Sequence, residues 1–453
     1  MSIGYACLTI GTENTGLTKC KLSSATPQKL RELIASNLTA LEAMLDYNIR
    51  NRIKLFRISS DLIPFGSHPL NQISWWEEYD PTLRNIGKKI KDHGIRVSMH
   101  PGQYTVLNSP DIGVVDKAIK ELVYHARILD ALQTEESSKL VLHIGGSYGN
   151  KKEAMERFIK EFWQLPGEVR RRLILENDEK NYNIQEVLTI SEYTGSPVVF
   201  DNLHHSLNMP REKKEEQEWI RNCQSTWKEK DGPQKIHYSQ QKAGAHPGSH
   251  SDTILSGAFL EFYGRLPNPK PDIMLEVKDK NLSALKCIHL TERAKAVQLE
   301  AEWARYKYLV LSRSARAYQS IRELLKDKSA EAAMEFYQLV ETALSLPQDT
   351  GAEVNAAQHV WGYISRAIIE NPVAGSLAFN SPMTDNMIPG SIAPEKKFTG
   401  SFASENREKE RFERFLNSFR SGQQSIAPLK KFLYRCAKER ELTYLLESLY
   451  FYL

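Results

Sequence analysis

Cysteine is scarce in this chain of 453 residues, and its spacing excludes two classes of site. The five cysteines are scattered without a CxxC pair, at Cys7, Cys20, Cys223, Cys287 and Cys436. A zinc ribbon or a redox motif needs closely spaced thiols, and a disulfide framework is typical of small secreted domains. We therefore expect reduced thiols in a cytoplasmic protein.

Long apolar runs are also missing. No stretch approaches the roughly 20 consecutive apolar residues that a membrane-spanning helix needs. The start of the chain, Met-Ser-Ile-Gly-Tyr-Ala-Cys, lacks the basic segment and apolar core of a signal peptide. The sequence therefore predicts no contact with a membrane. The formal net charge of +4 is compatible with nucleic acid but does not by itself argue for it.

What the sequence does contain is an alternation of short apolar runs with longer amphipathic segments, typical of an α/β protein. Eight runs predict β-strands, at Ile3–Ile10, Ile53–Ile58, Ile95–Met99, Lys139–His143, Arg172–Glu176, Pro197–Asp201, Gln234–His237 and Asp272–Glu276. Eight strand–helix units over roughly 280 residues match a (β/α)8 TIM barrel. A doubly wound open sheet is the alternative.

Acids and histidines stand at or just after the carboxyl ends of most of these strands. In the segment from Ser196 to Asn208, an apolar strand ends in Asp201 and is followed at once by His204 and His205. In a barrel, all the carboxyl ends meet at one rim, where active sites lie. The candidates for this rim are His68, His100, His143, Glu176, Asp201, His204, His237, His250 and Glu276.

These side chains exceed what one metal ion uses, since a catalytic zinc takes three protein ligands and a structural zinc takes four. Two or three divalent ions that lie close together need bridging carboxylates, for which Glu176, Asp201 and Glu276 are suited. Such clusters fit phosphodiester hydrolysis. His246 competes with His250 for a ligand role, because both stand in the same short segment.

The motifs around these residues resemble those of the UV damage endonuclease family, in the same order from about residue 2 to residue 280. They are Gly-Tyr5, Pro-Phe-Gly-Ser-His68-Pro, Ser-Met-His100-Pro-Gly-Gln103-Tyr104, Leu-His143-Ile-Gly-Gly, Leu-Glu176-Asn-Asp-Glu, Asp201-Asn-Leu-His204-His205, Lys235-Ile-His237 and Leu-Glu276-Val-Lys278-Asp-Lys. The resemblance implies a barrel of the endonuclease IV and xylose isomerase type. It also implies metal-dependent nicking of DNA immediately 5′ to cyclobutane pyrimidine dimers and 6-4 photoproducts. The resemblance further implies abasic sites as an additional substrate, and ends that carry a 3′-hydroxyl and a 5′-phosphate.

By the same resemblance, the expected metal ligands are His100, His143, Glu176, Asp201, His204, His237, His250 and Glu276. Two or three ions are expected per chain, with Mn²⁺ first and Zn²⁺, Co²⁺ or Mg²⁺ as alternatives. Catalytic roles are expected for Glu176, Lys235 and His68. Lys235 is also a candidate for modification, because a buried neutral amine can add carbon dioxide and become a carbamate ligand. A lysine paired with a nearby acid is the alternative.

Gln103 and Tyr104 follow a ligand and a Pro-Gly turn, which predicts an amide and an aromatic ring at a loop tip. Such groups can enter a duplex in place of displaced bases, and dimerised pyrimidines cost less to extrude than intact ones. Tyr5 is a further candidate for the lesion pocket, with a core position as the alternative. Thr9 stands where some relatives have asparagine, which puts a lesion contact from that position in doubt.

The last third of the chain changes to an all-α pattern. We divide the sequence into a barrel domain at 1–284 and a helical domain of unassigned role at 285–453, which includes one long predicted helix at 429–452. A mobile loop is predicted near 372–402 from its Gly, Ser, Pro and Asn content. We expect a monomer whose partners are damaged double-stranded DNA and downstream repair enzymes. A metal-dependent sugar isomerase or epimerase on the same barrel is the alternative function.

Overall fold

The structure is a computed structural model that describes residues 1–326, 332–370 and 402–453. It separates into two units, Met1–Arg293 and Ala294–Leu453. The predicted mobile loop lies outside the described residues, apart from Phe402, at which a helix begins. Within the described ranges, no helix combines the length and the apolar character that crossing a membrane requires.

The first unit is a closed barrel of eight parallel strands that follow one another in sequence order. They are β1 (Ile3–Ala6), β2 (Leu55–Ile58), β3 (Arg96–Met99), β4 (Lys139–His143), β5 (Leu173–Glu176), β6 (Val198–Asp201), β7 (Lys235–Tyr238) and β8 (Asp272–Leu275). The ring closes where Ile3 of β1 lies opposite Ile273 of β8 and Tyr5 lies opposite Leu275. This topology confirms the predicted TIM barrel and excludes the open sheet.

Helices follow the strands and pack on the outward-facing apolar residues, which include Phe56, Leu140 and Phe200. The main helices are Pro27–Arg50, Asp80–Asp92, Ile112–Ala131, Lys151–Gln164, Ile184–Thr194, Glu216–Gln224, Ser256–Arg265 and Asn281–Thr291, with short helices at Trp75–Glu78, Gly167–Arg170 and Asn202–Leu207. Local sequence sets several of their starts. Asn183 and Glu186, for example, form a capping box that satisfies the first free amides of Ile184–Thr194.

Charged side chains close the amino end of the barrel interior. Arg96, the first residue of β3, pairs with Asp272 of β8 at 3.0 Å between Nη1 and Oδ2, and Lys139 of β4 donates to Asp231. Buried ion pairs need additional hydrogen bonds to offset their loss of hydration. Arg96 has them, because it also donates to three backbone carbonyls. These charged pairs fill the amino end of the barrel interior, so a functional site is expected at the opposite end, where the strands have their carboxyl ends.

The eighth strand–helix unit is completed by helix Asn281–Thr291. Ala284, Cys287 and Ile288 of this helix belong to the hydrophobic core of the barrel. The division between the two units accordingly falls after Arg293. The predicted boundary at 284/285 instead cuts through this helix.

The second unit is all-α over its described residues, which confirms the helical prediction. Its helices are Ala296–Leu311, Ala315–Leu324, Ala332–Ser345, Thr350–Glu370, Phe402–Arg420, Ala427–Glu439 and Thr443–Leu446, followed by a 3₁₀ turn at Leu449–Phe451. The single helix predicted at 429–452 is wrong. The chain turns at Glu441, whose φ of +52° is a left-handed conformation that ends a helix.

Candidate metal centre

Four neighbouring strands bring acids and histidines together at the carboxyl end of the barrel. His143 at the end of β4 lies opposite Glu176 at the end of β5, and Asp201 of β6 lies opposite His237 of β7. Side chains alternate along a strand, so this register directs all four towards the barrel interior. The predicted convergence of strand ends therefore occurs.

Glu176 lies at the centre of this pocket and is 1% exposed. Its Oε2 lies 3.0 Å from His100 Nε2 and 3.5 Å from His143 Nε2. Its Oε1 lies 2.6 Å from His237 Nδ1. The two oxygens of one carboxylate thus face three imidazoles, one just after β3 and the others in β4 and β7.

Three overlapping groups of side chains could each hold a metal ion, because their ligand atoms lie within 4.8 Å of one another. The groups are His100–His143–Glu176, Glu176–Asp201–His204 and Glu176–His237–Glu276. Each combines imidazole with carboxylate, a donor set suited to divalent cations. Glu176 belongs to all three, as expected of a carboxylate that bridges neighbouring ions. The structure thus brings seven of the eight predicted ligands into one pocket.

Hydrogen bonds to the backbone orient two of these imidazoles. His100 Nδ1 lies 3.0 Å from the carbonyl of Pro101, and His204 Nδ1 lies 2.9 Å from the carbonyl of Asn177. Because a carbonyl only accepts, each Nδ1 carries the proton and leaves the Nε2 lone pair to bind a ligand. At His100 this lone pair meets an oxygen of Glu176. Two acceptors at that distance require a proton or a cation between them.

A buried atom without a hydrogen bond also fits a metal. Among the described residues, Asp201 Oδ2 is buried in the pocket region and has no hydrogen-bond partner. An unpartnered buried polar atom costs about 1–3 kcal/mol, which coordination to a cation would remove. The donor set and this atom together fit divalent metal ions.

Burial and the charges of neighbouring acids shift the pKa values of the pocket in opposite directions. Burial raises the pKa of Asp201 to about 6 and lowers that of His143 to about 4. Burial also disfavours the charged form of His204, but the negative charges of Asp201, Glu176 and Glu276 outweigh it and raise its pKa to about 9. Without a cation, the acids therefore hold a proton on His204.

Metal affinity is expected to rise as the pH increases from about 6 to about 9, because a cation must displace the proton from His204. Calorimetric titration of the metal-free protein with Mn²⁺, in buffers of different ionisation enthalpy, measures both the affinity and the protons released. An affinity that stays constant across this range, with no proton release, would contradict the assignment of His204 as a ligand.

Sequence reasoning missed Arg57, an inward-facing residue of β2. Its Nη1 lies 2.5 Å from Glu276 Oε1, and its side chain is only 12% exposed. Burial alone would raise the pKa of Glu276, but the charge of Arg57 holds it well below its usual range. Arg57 thus keeps Glu276 ionised. The available signal was a charged residue within the otherwise apolar strand Leu55–Ile58, since a buried charge needs a partner.

Two predicted site residues do not belong to the ligand groups. His68 is exposed, its Nδ1 accepts from the Leu70 amide, and among the described residues it joins none of the ligand groups. Tyr5 is completely buried, with its hydroxyl 2.6 Å from Thr9 Oγ1 and donating to Asn48 at 2.8 Å. Tyr5 is therefore a core residue, and Thr9 hydrogen-bonds to it.

The position and exposure of two histidines favour one of them as a ligand. His250 Nε2 lies 3.6 Å from Glu276 Oε2, and the ring is partly buried. His246 is exposed on the turn that precedes it. The geometry thus favours His250 as the eighth ligand, at the edge of the pocket.

Gln103 and Tyr104 form the exposed tip of the loop after β3. The Thr105 amide donates to the carbonyl of Gly102, which closes a tight turn, and the Tyr104 side chain is 85% exposed. Tyr104 is four residues beyond His100, a separation that a chain spans in at most about 14 Å. A large exposed aromatic ring therefore stands near the mouth of the pocket.

Lys235, at the start of β7, is 1% exposed inside the barrel. Burial, together with the charges of Arg96 and Arg57, lowers its pKa well below the usual range. The acids Glu176 and Asp272 counteract this shift only in part. The environment therefore favours the neutral amine over a lysine held charged by an acid.

Comparisons with known proteins agree with this geometry. Residues 1–304 match the family described as UV-endonuclease UvdE. The chain belongs to the UV-endonuclease family. Residues 307–375 match a separate family of proteins of unknown function, DUF1722. This match therefore does not indicate a function for the helical unit.

Several relatives show how far the likeness to the UV-endonuclease family extends. A UV DNA damage endonuclease of Clostridium perfringens (strain 13 / Type A) is 41% identical over 353 residues, which cover 77% of this chain and 84% of the relative. One of Bacillus cereus (strain Q1) is 36% identical over 264 residues, 58% of this chain and 82% of the relative. The crystal structure of SacUVDE superposes with a TM-score of 0.60 at 40% identity, covering 64% of this chain and 98% of that one. Because 353 residues exceed the 293 of the first unit, the match to the Clostridium relative reaches into the helical unit.

Proposed function

We propose that this UV-endonuclease family member is a divalent-metal-dependent DNA repair enzyme that cuts the backbone immediately 5′ to UV photoproducts. The substrates are cyclobutane pyrimidine dimers and 6-4 photoproducts in double-stranded DNA, with abasic sites as a further substrate. The cut leaves a 3′-hydroxyl and a 5′-phosphate. The observation that carries the proposal is the buried carboxylate of Glu176, shared by three ligand groups at the open end of the barrel.

The residues of the pocket would hold two or three ions, with Mn²⁺ as the first candidate. When bound, such ions polarise the phosphate, activate water and offset the charge on the leaving oxygen. The chain contributes fixed positions, because backbone carbonyls orient His100 and His204 and Arg57 holds Glu276. Burial of Glu176 keeps competing water away from its oxygens, which strengthens their electrostatic interactions.

Nicking of supercoiled plasmid tests the proposal directly. With Mn²⁺, the protein is expected to convert UV-irradiated plasmid to open circles and to leave unirradiated plasmid intact, and a chelator should stop the reaction. A sugar isomerase or epimerase would leave both plasmids intact. Equal nicking of both plasmids would contradict selectivity for UV lesions but would still agree with a metal-dependent nuclease.

Removing the Tyr104 ring is expected to reduce nicking of irradiated plasmid by about tenfold or more, since base–aromatic contacts contribute about 1–3 kcal/mol each. Metal content and melting temperature should not change in Tyr104→Ala, because the side chain is 85% exposed. Tyr193→Ala is the matched control, an exposed tyrosine on the outer helix Ile184–Thr194. Unchanged nicking by Tyr104→Ala would exclude this ring from lesion recognition.

A pair of histidine variants tests the eighth ligand. His250→Ala is expected to weaken metal binding by about 10- to 100-fold, because its ring lies beside Glu276. His246→Ala should bind metal like the unmodified protein, since His246 is exposed on the turn. Metal content after dialysis against a weak chelator reports both results. The reverse order of effects would assign the ligand to His246.

A further inference from the structure

A second candidate binding site lies within the helical unit. Helix Ala427–Glu439 and residues 451–453 line an open cleft of about 560 Å³, a size within the usual range of small-molecule sites. Two lysines and three aromatic side chains line it: Lys430, Lys431, Tyr434, Phe451 and Tyr452. Neither the metal centre nor the relatives assign a role to these residues.

The charge of the cleft favours an anion. Ile426 and Ala427, at the amino-terminal end of the 13-residue helix, also line the cleft, and no side chain caps this end. Its first turn carries no acidic residue. Pro428 in the first turn has no amide hydrogen, so the remaining free amides and the positive end of the helix dipole attract negative groups. Lys430 and Lys431 line the cleft at the same place.

The two lysines of the cleft differ in their surroundings. The Lys430 side chain is 12% exposed, and its Nζ lies 4.0 Å from Glu353 Oε1 and 4.4 Å from the centre of the Tyr450 ring. The same Nζ donates to the backbone carbonyl of Leu453 at 3.4 Å. Burial lowers the pKa of Lys430 and raises that of Glu353. The exposed Lys431 is therefore the main positive charge that the cleft offers to an anion.

The aromatic side chains that line the cleft indicate which class of anion fits it. Tyr434 packs edge-on against Phe451 and Tyr452, at 5.5 and 6.1 Å between ring centres. Inorganic phosphate would use the lysines but not the rings. Lysine beside aromatic side chains is the combination by which proteins bind a phosphate and stack its base.

We propose that this cleft binds a nucleotide unit, with its phosphate at Lys430, Lys431 and the helix end and its base against the aromatic rings. A free nucleotide and the 5′-phosphorylated end of a DNA strand share this chemistry. The proposal does not depend on incision by the barrel, so either can fail without the other.

Calorimetry on the full-length, metal-loaded protein tests the proposal with two probes, dTMP and a short 5′-phosphorylated oligothymidylate. Lys431→Glu is expected to raise the Kd of the bound probe by about tenfold or more, the effect of losing a charge-assisted hydrogen bond. Lys409→Glu, an exposed lysine on helix Phe402–Arg420, should leave the Kd unchanged. Equal affinity for both probes identifies a free nucleotide, and preference for the oligomer identifies a strand end. No binding of either probe, or an unchanged Kd in Lys431→Glu, would overturn the site.

Because phosphates also bind metal centres, the probes could bind at the barrel in the calorimetric experiment. Crosslinking therefore identifies the binding site independently. An oligothymidylate carrying 5-iodouracil is bound to the full chain, irradiated, and its crosslinked peptides are mapped by mass spectrometry. Crosslinks to peptides containing Tyr434 or Tyr452 are expected, and they should be lost in Lys431→Glu. Crosslinks confined to barrel peptides would overturn the assignment. Lys431 is exposed, so this variant avoids leaving Glu353 buried without Lys430.

Discussion

Replacing Glu176 by glutamine is expected to lower the nicking rate on irradiated plasmid by at least about 1000-fold. The amide keeps the shape of the side chain but loses its charge and one of its two acceptor oxygens. The remaining oxygen cannot serve His100 and His237 at once, because these imidazoles face different oxygens of the carboxylate. All three ligand groups are weakened by a single substitution, since Glu176 belongs to each of them.

Metal content and nicking are measured on the same preparation of Glu176→Gln. Both are expected to fall, while circular dichroism reports an intact barrel. Glu192→Gln is the matched control, because Glu192 is an exposed acid on the neighbouring helix Ile184–Thr194. A Glu176→Gln protein that keeps its metal and nicks at the normal rate would remove Glu176 from the centre of the site. Lesion binding without nicking would instead agree with it.

The barrel and most of its ligands could be predicted because the relevant signals are local. A run such as Pro197–Phe200 identifies a buried strand by itself, and the topology then brings the strand ends together. His143, Glu176 and Asp201 could therefore be assigned to one rim although they are far apart in the sequence. Their distances and shared oxygens could not be predicted, since these depend on the register and tilt of the strands.

Side-chain direction explains two of the errors. Strands covered on both faces are apolar throughout, so their sequence does not show which residues point inward. Tyr5 therefore looked like a candidate for the lesion pocket, whereas it points outward to Asn48 on helix Pro27–Arg50. Arg57 was overlooked although its charge within an apolar strand was a signal, because the sequence did not show that its side chain faces Glu276.

A turn without a sequence signal explains another. The helix predicted at 429–452 ends early because Glu441 adopts a left-handed conformation, for which glycine or asparagine would have been the sequence signal. The position of His250 could not be predicted either, because the segment before helix Ser256–Arg265 is not helical and His250 forms a bridge with Gln241. This segment brings His250 to Glu276.

Replacing Lys235 by alanine is expected to lower the nicking rate by about 100-fold or more, and formate or acetate should partly restore it. The reason is that a buried neutral amine can attack carbon dioxide, lose its proton and become a carbamate, which acts as a carboxylate beside the metal ligand His237. Alanine leaves a space inside the barrel, and a small carboxylic acid can take the place of the missing group. Rescue is read as the nicking rate against the concentration of added acid.

Lys235→Arg separates this role from that of a simple cation. Arginine keeps the positive charge and cannot form the carbamate, so it should be as inactive as alanine and should not respond to formate. Native mass spectrometry in mild, carbon-dioxide-equilibrated buffer should find the mass of one added carbon dioxide on the parent chain, which carries no substitution. Neither variant should show this added mass. A normal rate in Lys235→Arg would show that Lys235 acts as a simple cation, and a parent chain that is fully active without the added mass would show that the carbamate is not needed. Burial and the charges of Arg96 and Arg57 favour the carbamate, because those two cations repel an ammonium and attract the anion that replaces it.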